Sequence, residues 1–74
     1  MPHVTISMYP GKSEEDKEAL AKAVQELLIK TGTPHTAISV RITEVAAENW
    51  KEQVFDRYIK EAGDELYILP DYNM

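Results

Sequence analysis

Apolar and polar residues alternate from residue 3 to residue 9, with Val4, Ile6 and Met8 on one side of the chain and Thr5 and Ser7 on the other. A period of two is that of a half-buried strand, and Pro10-Gly11 stops it. The pattern then changes to a helical one. Leu20, Val24, Leu27 and Leu28 form one apolar stripe, Ser13 is placed to cap its start, and Glu14, Glu15 and Asp16 stand in the first turn, where the helix dipole favours negative charge. Gly32 ends that helix. Residues 37 to 45 alternate again, with Ile38, Val40 and Ile42 pointing inward and Ser39, Arg41 and Thr43 on the opposite face. Two strands joined by a helix of this length form a crossover unit, so the strands are expected to run parallel. Trp50, Val54 and Tyr58, spaced by four, predict a second, short helix over residues 48 to 62 that stops at Gly63. Residues 66 to 69 form a short C-terminal strand or remain a tail, since Pro70 closes the segment. The pattern is that of an α+β fold in a single domain spanning residues 1–74, with no repeat, linker or low-complexity stretch.

Composition sharpens this picture in two ways. A chain of 74 residues has barely enough core to offset its own conformational entropy, and with no cysteine it has neither disulfides nor a thiolate metal site to staple it. Self-association is the remaining source of burial, so a homo-oligomer is expected. Thirteen acidic against eight basic residues give a net charge of −5, which opposes binding to a phosphate backbone or an anionic bilayer. No apolar run has the length of a signal-peptide core or a membrane span. A cytoplasmic protein with no nucleic-acid or membrane partner is expected.

Two short signals compete for the chemistry. Gly11-Lys12-Ser13 resembles the end of a phosphate loop, but the first glycine of that motif falls on Ile6, inside a strand. A turn glycine, an exposed lysine and a helix cap account for the triplet. The other signal is Pro2. Initiator methionine is normally removed when a residue as small as proline follows it, which leaves Pro2 as a secondary amine at the terminus. A free α-amino group titrates near about 7.7–8.0, and an apolar pocket or a nearby cation lowers it, so such an amine serves as a general base at neutral pH. His3 and His35, the two histidines, have no carboxylate at a metal-ligand spacing and read as structural or rim residues. No Ser-His-acid set or catalytic carboxylate pair stands out.

The stretches PHVTISMYPGKS, SVRITEVAAENW and LYILPDY, in this order and spacing, resemble the tautomerase superfamily, the 4-oxalocrotonate tautomerase-like proteins, and the tail resembles that of a longer branch that includes dimers. The resemblance covers nearly the whole chain. It implies a β-α-β tautomerase fold and an isomerase that needs no cofactor or metal. Such an enzyme moves a proton between carbon and oxygen of a small enol or α-keto acid, with Pro2 as the general base. It also implies substrate-binding positions. Lys12 stands where hexameric members carry an arginine before the first helix, keeping the charge without the bidentate fork. Ser39 stands where they carry an arginine in the second strand, with Arg41 two residues along the same face. Trp50 corresponds to the aromatic that walls their pocket. Each residue also has a plainer reading: Lys12 as a solvated lysine, Arg41 as a partner of Glu44, Trp50 as core packing. The partner implied is a small-molecule carboxylate, and a dimer is favoured over a hexamer or trimer. Hydration, dehalogenation or decarboxylation on the same scaffold, or a non-catalytic binding module, are the alternatives. The strand between Pro2 and Lys12 separates them by roughly 20 to 30 Å at about 3.3 Å per residue, so a site using both is shared between subunits.

Overall fold

A computed structural model describes residues 1–74 and divides the chain into two compact units, Met1–Glu44 and Val45–Met74. In the first unit, strand β1 (His3–Met8) is followed by helix α1 (Glu14–Lys30), a 3₁₀ turn (His35–Ala37) and strand β2 (Ser39–Glu44). The two strands pair in parallel, from His3 beside Ser39 to Met8 beside Glu44. The β-α-β order is therefore the expected one. β2 is shorter than the alternation predicts, because residues 35 to 37 are taken into the turn, where Ala37 N–H bonds the Pro34 carbonyl at 3.0 Å.

Local chemistry explains α1. Ser13 has extended backbone geometry and its Oγ accepts from Asp16 N–H at 3.1 Å, which satisfies one of the helix's orphan donors. Replacing Ser13 by alanine is expected to cost about 1 kcal/mol in urea unfolding; an unchanged midpoint would show that the cap contributes nothing. The helix closes where Gly32, at φ 103, adopts a conformation that side chains resist, and Gly32 and Thr33 N–H return to the carbonyls of Ile29 and Leu28. Lys17 bridges Glu14 at 2.9 Å and Glu44 at 3.2 Å, tying the first turn of α1 to the end of β2. The hydrogen bonds that Lys17 donates to Glu14, and then to Glu44, raise its ammonium above the usual lysine range. That tie is intact below the ordinary lysine pKa and is lost as pH rises through the raised value.

Side-chain burial in this unit is incomplete. Val4, Ile6, Met8, Val40 and Ile42 on the strands and Leu20, Val24 and Leu28 on the helix are half-buried, and none is fully enclosed. Leu27, expected in the apolar stripe, is 62% exposed. The opposite sheet face carries His3, Thr5, Ser39 and Arg41, all exposed.

In the second unit, helix α2 (Ala47–Trp50) runs directly into a π-helical segment, Lys51–Lys60. The helix was expected, but its winding differs, and the apolar stripe differs with it. A spacing of four aligns Trp50, Val54 and Tyr58 in an α-helix, whereas the wider π-turn, bonded to the fifth residue, carries the later residues off that line. Val54 and Phe55 are accordingly buried, as is Val45, while Tyr58 turns out to solvent with the Arg57 guanidinium 5.1 Å above its ring. Gly63, at φ 55, opens a 3₁₀ turn (Gly63–Glu65). Residues 66 to 69 do not form a strand. Tyr67, Ile68 and Leu69 extend into solvent, since a strand without a neighbouring edge gains no ladder hydrogen bonds to offset its ordering. The tail is the form this end of the chain takes.

Candidate active site

Pro2 lies immediately outside β1, half-buried, with Met1 fully exposed beyond it. Its carbonyl accepts from Ser39 N–H at 3.3 Å, so the residue is held to the first rung of the sheet through its carbonyl oxygen. This leaves the proline nitrogen outside the ladder, and a proline has no N–H to contribute there in any case.

Ser39 and His3 share that rung. Ser39 Oγ is 2.6 Å from His3 Nδ1, and Thr5 Oγ1 is 3.2 Å from His3 Nε2, so both ring nitrogens are engaged by hydroxyls. In the neutral ring, one nitrogen accepts from a hydroxyl and the other donates its N–H, and each hydroxyl can take either part. Arg41 stands two pairs further, beside Thr5. Side chains two apart on a strand share a face about 6.6 Å apart. His3, Thr5, Ser39 and Arg41 thus form one polar array beginning at Pro2.

Lys12 is not part of it. It follows Gly11, whose φ of 131 suits glycine, in the exposed connection beyond the far end of β1. The six residues of the strand set it about 20 Å from Pro2 along the chain direction. Within this unit Ser39 and Arg41 share one sheet face with His3 and Thr5, Pro2 precedes the first pair of that face, and Lys12 lies apart beyond the strand's other end. Trp50 belongs to the second unit, where it is half-buried and its Nε1–H donates to the Tyr72 hydroxyl at 2.9 Å. His35 stands in the 3₁₀ turn, exposed. A shallow groove of about 160 Å³ between α1 and the start of β2, lined by Ala21, Lys22, Gln25, Ile38 and Val40, contains none of these candidates.

The model of the family described as "Tautomerase enzyme" matches residues 2–55, beginning at the proline itself. The chain belongs to the tautomerase family. Among similar proteins, Tautomerase PptA of Enterobacter sp. (strain 638) is 38% identical across the full length of both chains. Tautomerase PptA of Pectobacterium atrosepticum is 35% identical over 99% of each. A probable tautomerase of Xylella fastidiosa is 30% identical over 97% of this chain and 89% of its own. The match to full-length relatives extends through the tail as well as the β-α-β unit. An isomerase-type enzyme with tautomerase activity is what this similarity supports. No helix of the tautomerase is long and apolar enough to cross a membrane.

Two residues of this tautomerase escaped sequence reasoning. The alternation gives His3 as a structural or rim residue on the polar face, but not its partner, because the Ser39 hydroxyl comes from a segment 36 positions away. Tyr72 closes the LYILPDY stretch but has no periodicity to mark a contact, and it gains a role through Trp50 and Phe55.

Proposed function

We propose that this tautomerase interconverts the enol and keto forms of a small monocarboxylic acid, with the Pro2 nitrogen as the proton acceptor. The reading rests on one observation: the family match begins at Pro2, a residue whose nitrogen lies outside the sheet ladder and whose preceding methionine is exposed to removal. In the ketonising direction the freed amine takes the proton from the enol oxygen and a proton is returned to carbon, so no redox step or cofactor is required. A cation, Arg41 or a Lys12 supplied by another subunit, holds the carboxylate and stabilises charge drawn toward it in the transition state. Trp50 provides an apolar wall. The working environment is the cytoplasm, and the assembly is a homo-oligomer, with a dimer favoured.

The Ser39 position sets the substrate class. A dicarboxylate needs a second cation, and the hydroxyl at Ser39 is taken by His3. Phenylenolpyruvate is therefore expected to be turned over at least as well as 2-hydroxymuconate, and Ser39→Arg is expected to improve the dicarboxylate's kcat/KM by about tenfold with little change for the monocarboxylate. Both rates can be followed by the loss of enol absorbance. A strong preference of the unaltered protein for 2-hydroxymuconate would refute this assignment of the carboxylate contacts.

A further inference from the structure

The tail beyond the last turn has no ladder to hold it, and Tyr67, Ile68 and Leu69 are 100%, 88% and 73% exposed. Yet three residues later the chain is attached firmly. The Tyr72 hydroxyl accepts the indole N–H of Trp50 at 2.9 Å, and its ring lies 5.7 Å from that of Phe55, inclined at 42°. That separation and tilt fall in the range where aromatic edges and faces attract.

The π-helical winding makes this double contact possible. Trp50 and Phe55 are five residues apart, and in an α-helix they would diverge by about 140°. The wider winding of the segment that follows Trp50 narrows that divergence, and Tyr72 contacts both side chains. Phe55 is 6% exposed and offers the Tyr72 ring, itself 46% exposed, a buried surface to pack on, which places the hydroxyl. The hydroxyl in turn fixes the indole. Its N–H is the one polar group of the side chain, and a flip of the ring about its second torsion would carry that donor away from its acceptor.

We propose that Tyr72 is a positioning residue that holds the Trp50 ring in a single orientation, and that through it the C-terminal tail sets the enzyme's preference for substrates bearing a planar aryl group. The inference rests on the reading of Trp50 as a wall of the substrate site. A wall whose plane is fixed is complementary to a flat conjugated ring, whereas a freely turning indole must be ordered each time such a ring binds. A small aliphatic enol acid presents little surface to that plane and is indifferent to it.

The test uses the full chain with Tyr72→Phe, which removes the hydroxyl and keeps the ring on Phe55. Trp50 is the single tryptophan, so the emission comes from this indole alone. Acrylamide quenching of Trp50 is expected to rise about twofold, with far-UV circular dichroism unchanged. Cinnamate, an unreactive planar aryl carboxylate, is expected to bind about three- to tenfold more weakly, while crotonate, which lacks the ring, binds as before. KM for an aryl enol acid should rise in parallel, with kcat within about twofold. A chain ending at Pro70 should reproduce the same discrimination. Unchanged quenching would overturn the proposal, and so would increased quenching with cinnamate affinity intact, which leaves Tyr72 a structural role alone. A protein that discriminates cinnamate from crotonate as stated yet turns over no enol acid would count against the catalytic reading of Pro2 and in favour of the Trp50–Tyr72 inference.

Discussion

Acetylating the Pro2 nitrogen of the processed protein, or leaving Met1 attached, is expected to lower kcat/KM for an enol acid by about 10²- to 10⁴-fold, the usual share of a general base. Either change turns the amine into an amide, whose lone pair is delocalised into the carbonyl and no longer accepts a proton at neutral pH. Neither should disturb the fold, because Met1 is exposed and the proline nitrogen takes no part in the strand ladder. Pro2→Ala is expected to lose less, since a primary amine remains but is held less rigidly. In the free-amine protein the rate should rise with pH as the amine loses its proton. The cation and apolar wall proposed for the site would both favour the neutral form, so this limb is expected to titrate below about 7.7–8.0 and to move upward when the cation is removed. Intact-mass measurement assigns each preparation to its form before the rates are compared. Equal rates for blocked and free termini would place the proton acceptor on another residue.

Dilution is expected to destabilise the protein by about 1.4 kcal/mol per mole of dimer for each tenfold fall in concentration. The expectation comes from burial. No side chain of the Met1–Glu44 unit is fully enclosed, although its strands and helix carry an apolar stripe each, and the tail exposes Tyr67, Ile68 and Leu69. So much apolar surface in so short a chain is expected to find its cover in another subunit. Thermal melts across a hundredfold range of concentration, with sedimentation velocity on the same samples, test this and distinguish a dimer from a hexamer. A folded monomer at nanomolar concentration with an unshifted melt would remove the assembly, and with it any contribution of Lys12 to a site at Pro2.

The elements that could be read directly from the chain were those governed by local physics. Alternation at Val4, Ile6 and Met8 specified β1. The Ser13 cap, the acidic first turn and Gly32 bracketed α1 to within a residue or two at either end. The crossover length then required a parallel pair, and the observed register is parallel throughout. In the second unit the period is not regular. The stripe Trp50, Val54, Tyr58 presupposed α-winding, and the π-segment exchanged Tyr58 for Phe55. Residues 66 to 69 have the composition of a strand but no partner edge in their own unit, and hydrogen bonding to a neighbour is what makes a strand stable.

For the candidate site the division follows range. The sequence by itself determined that Pro2 opens a strand, that Lys12 lies beyond that strand's other end, and that Ser39 and Arg41 share a face, because each of these depends on spacing along one segment. Tertiary structure alone decided that Ser39 pairs with His3, that both ring nitrogens of His3 are engaged by hydroxyls, and that Tyr72 reaches back to Trp50 and Phe55. Those contacts join residues 36, 22 and 17 positions apart. A one-residue slip of the parallel register would have turned Ser39 to the other side of the sheet and left His3 facing a different neighbour. Periodicity fixes which face a side chain occupies, but strand register and helix winding decide which side chain it meets there.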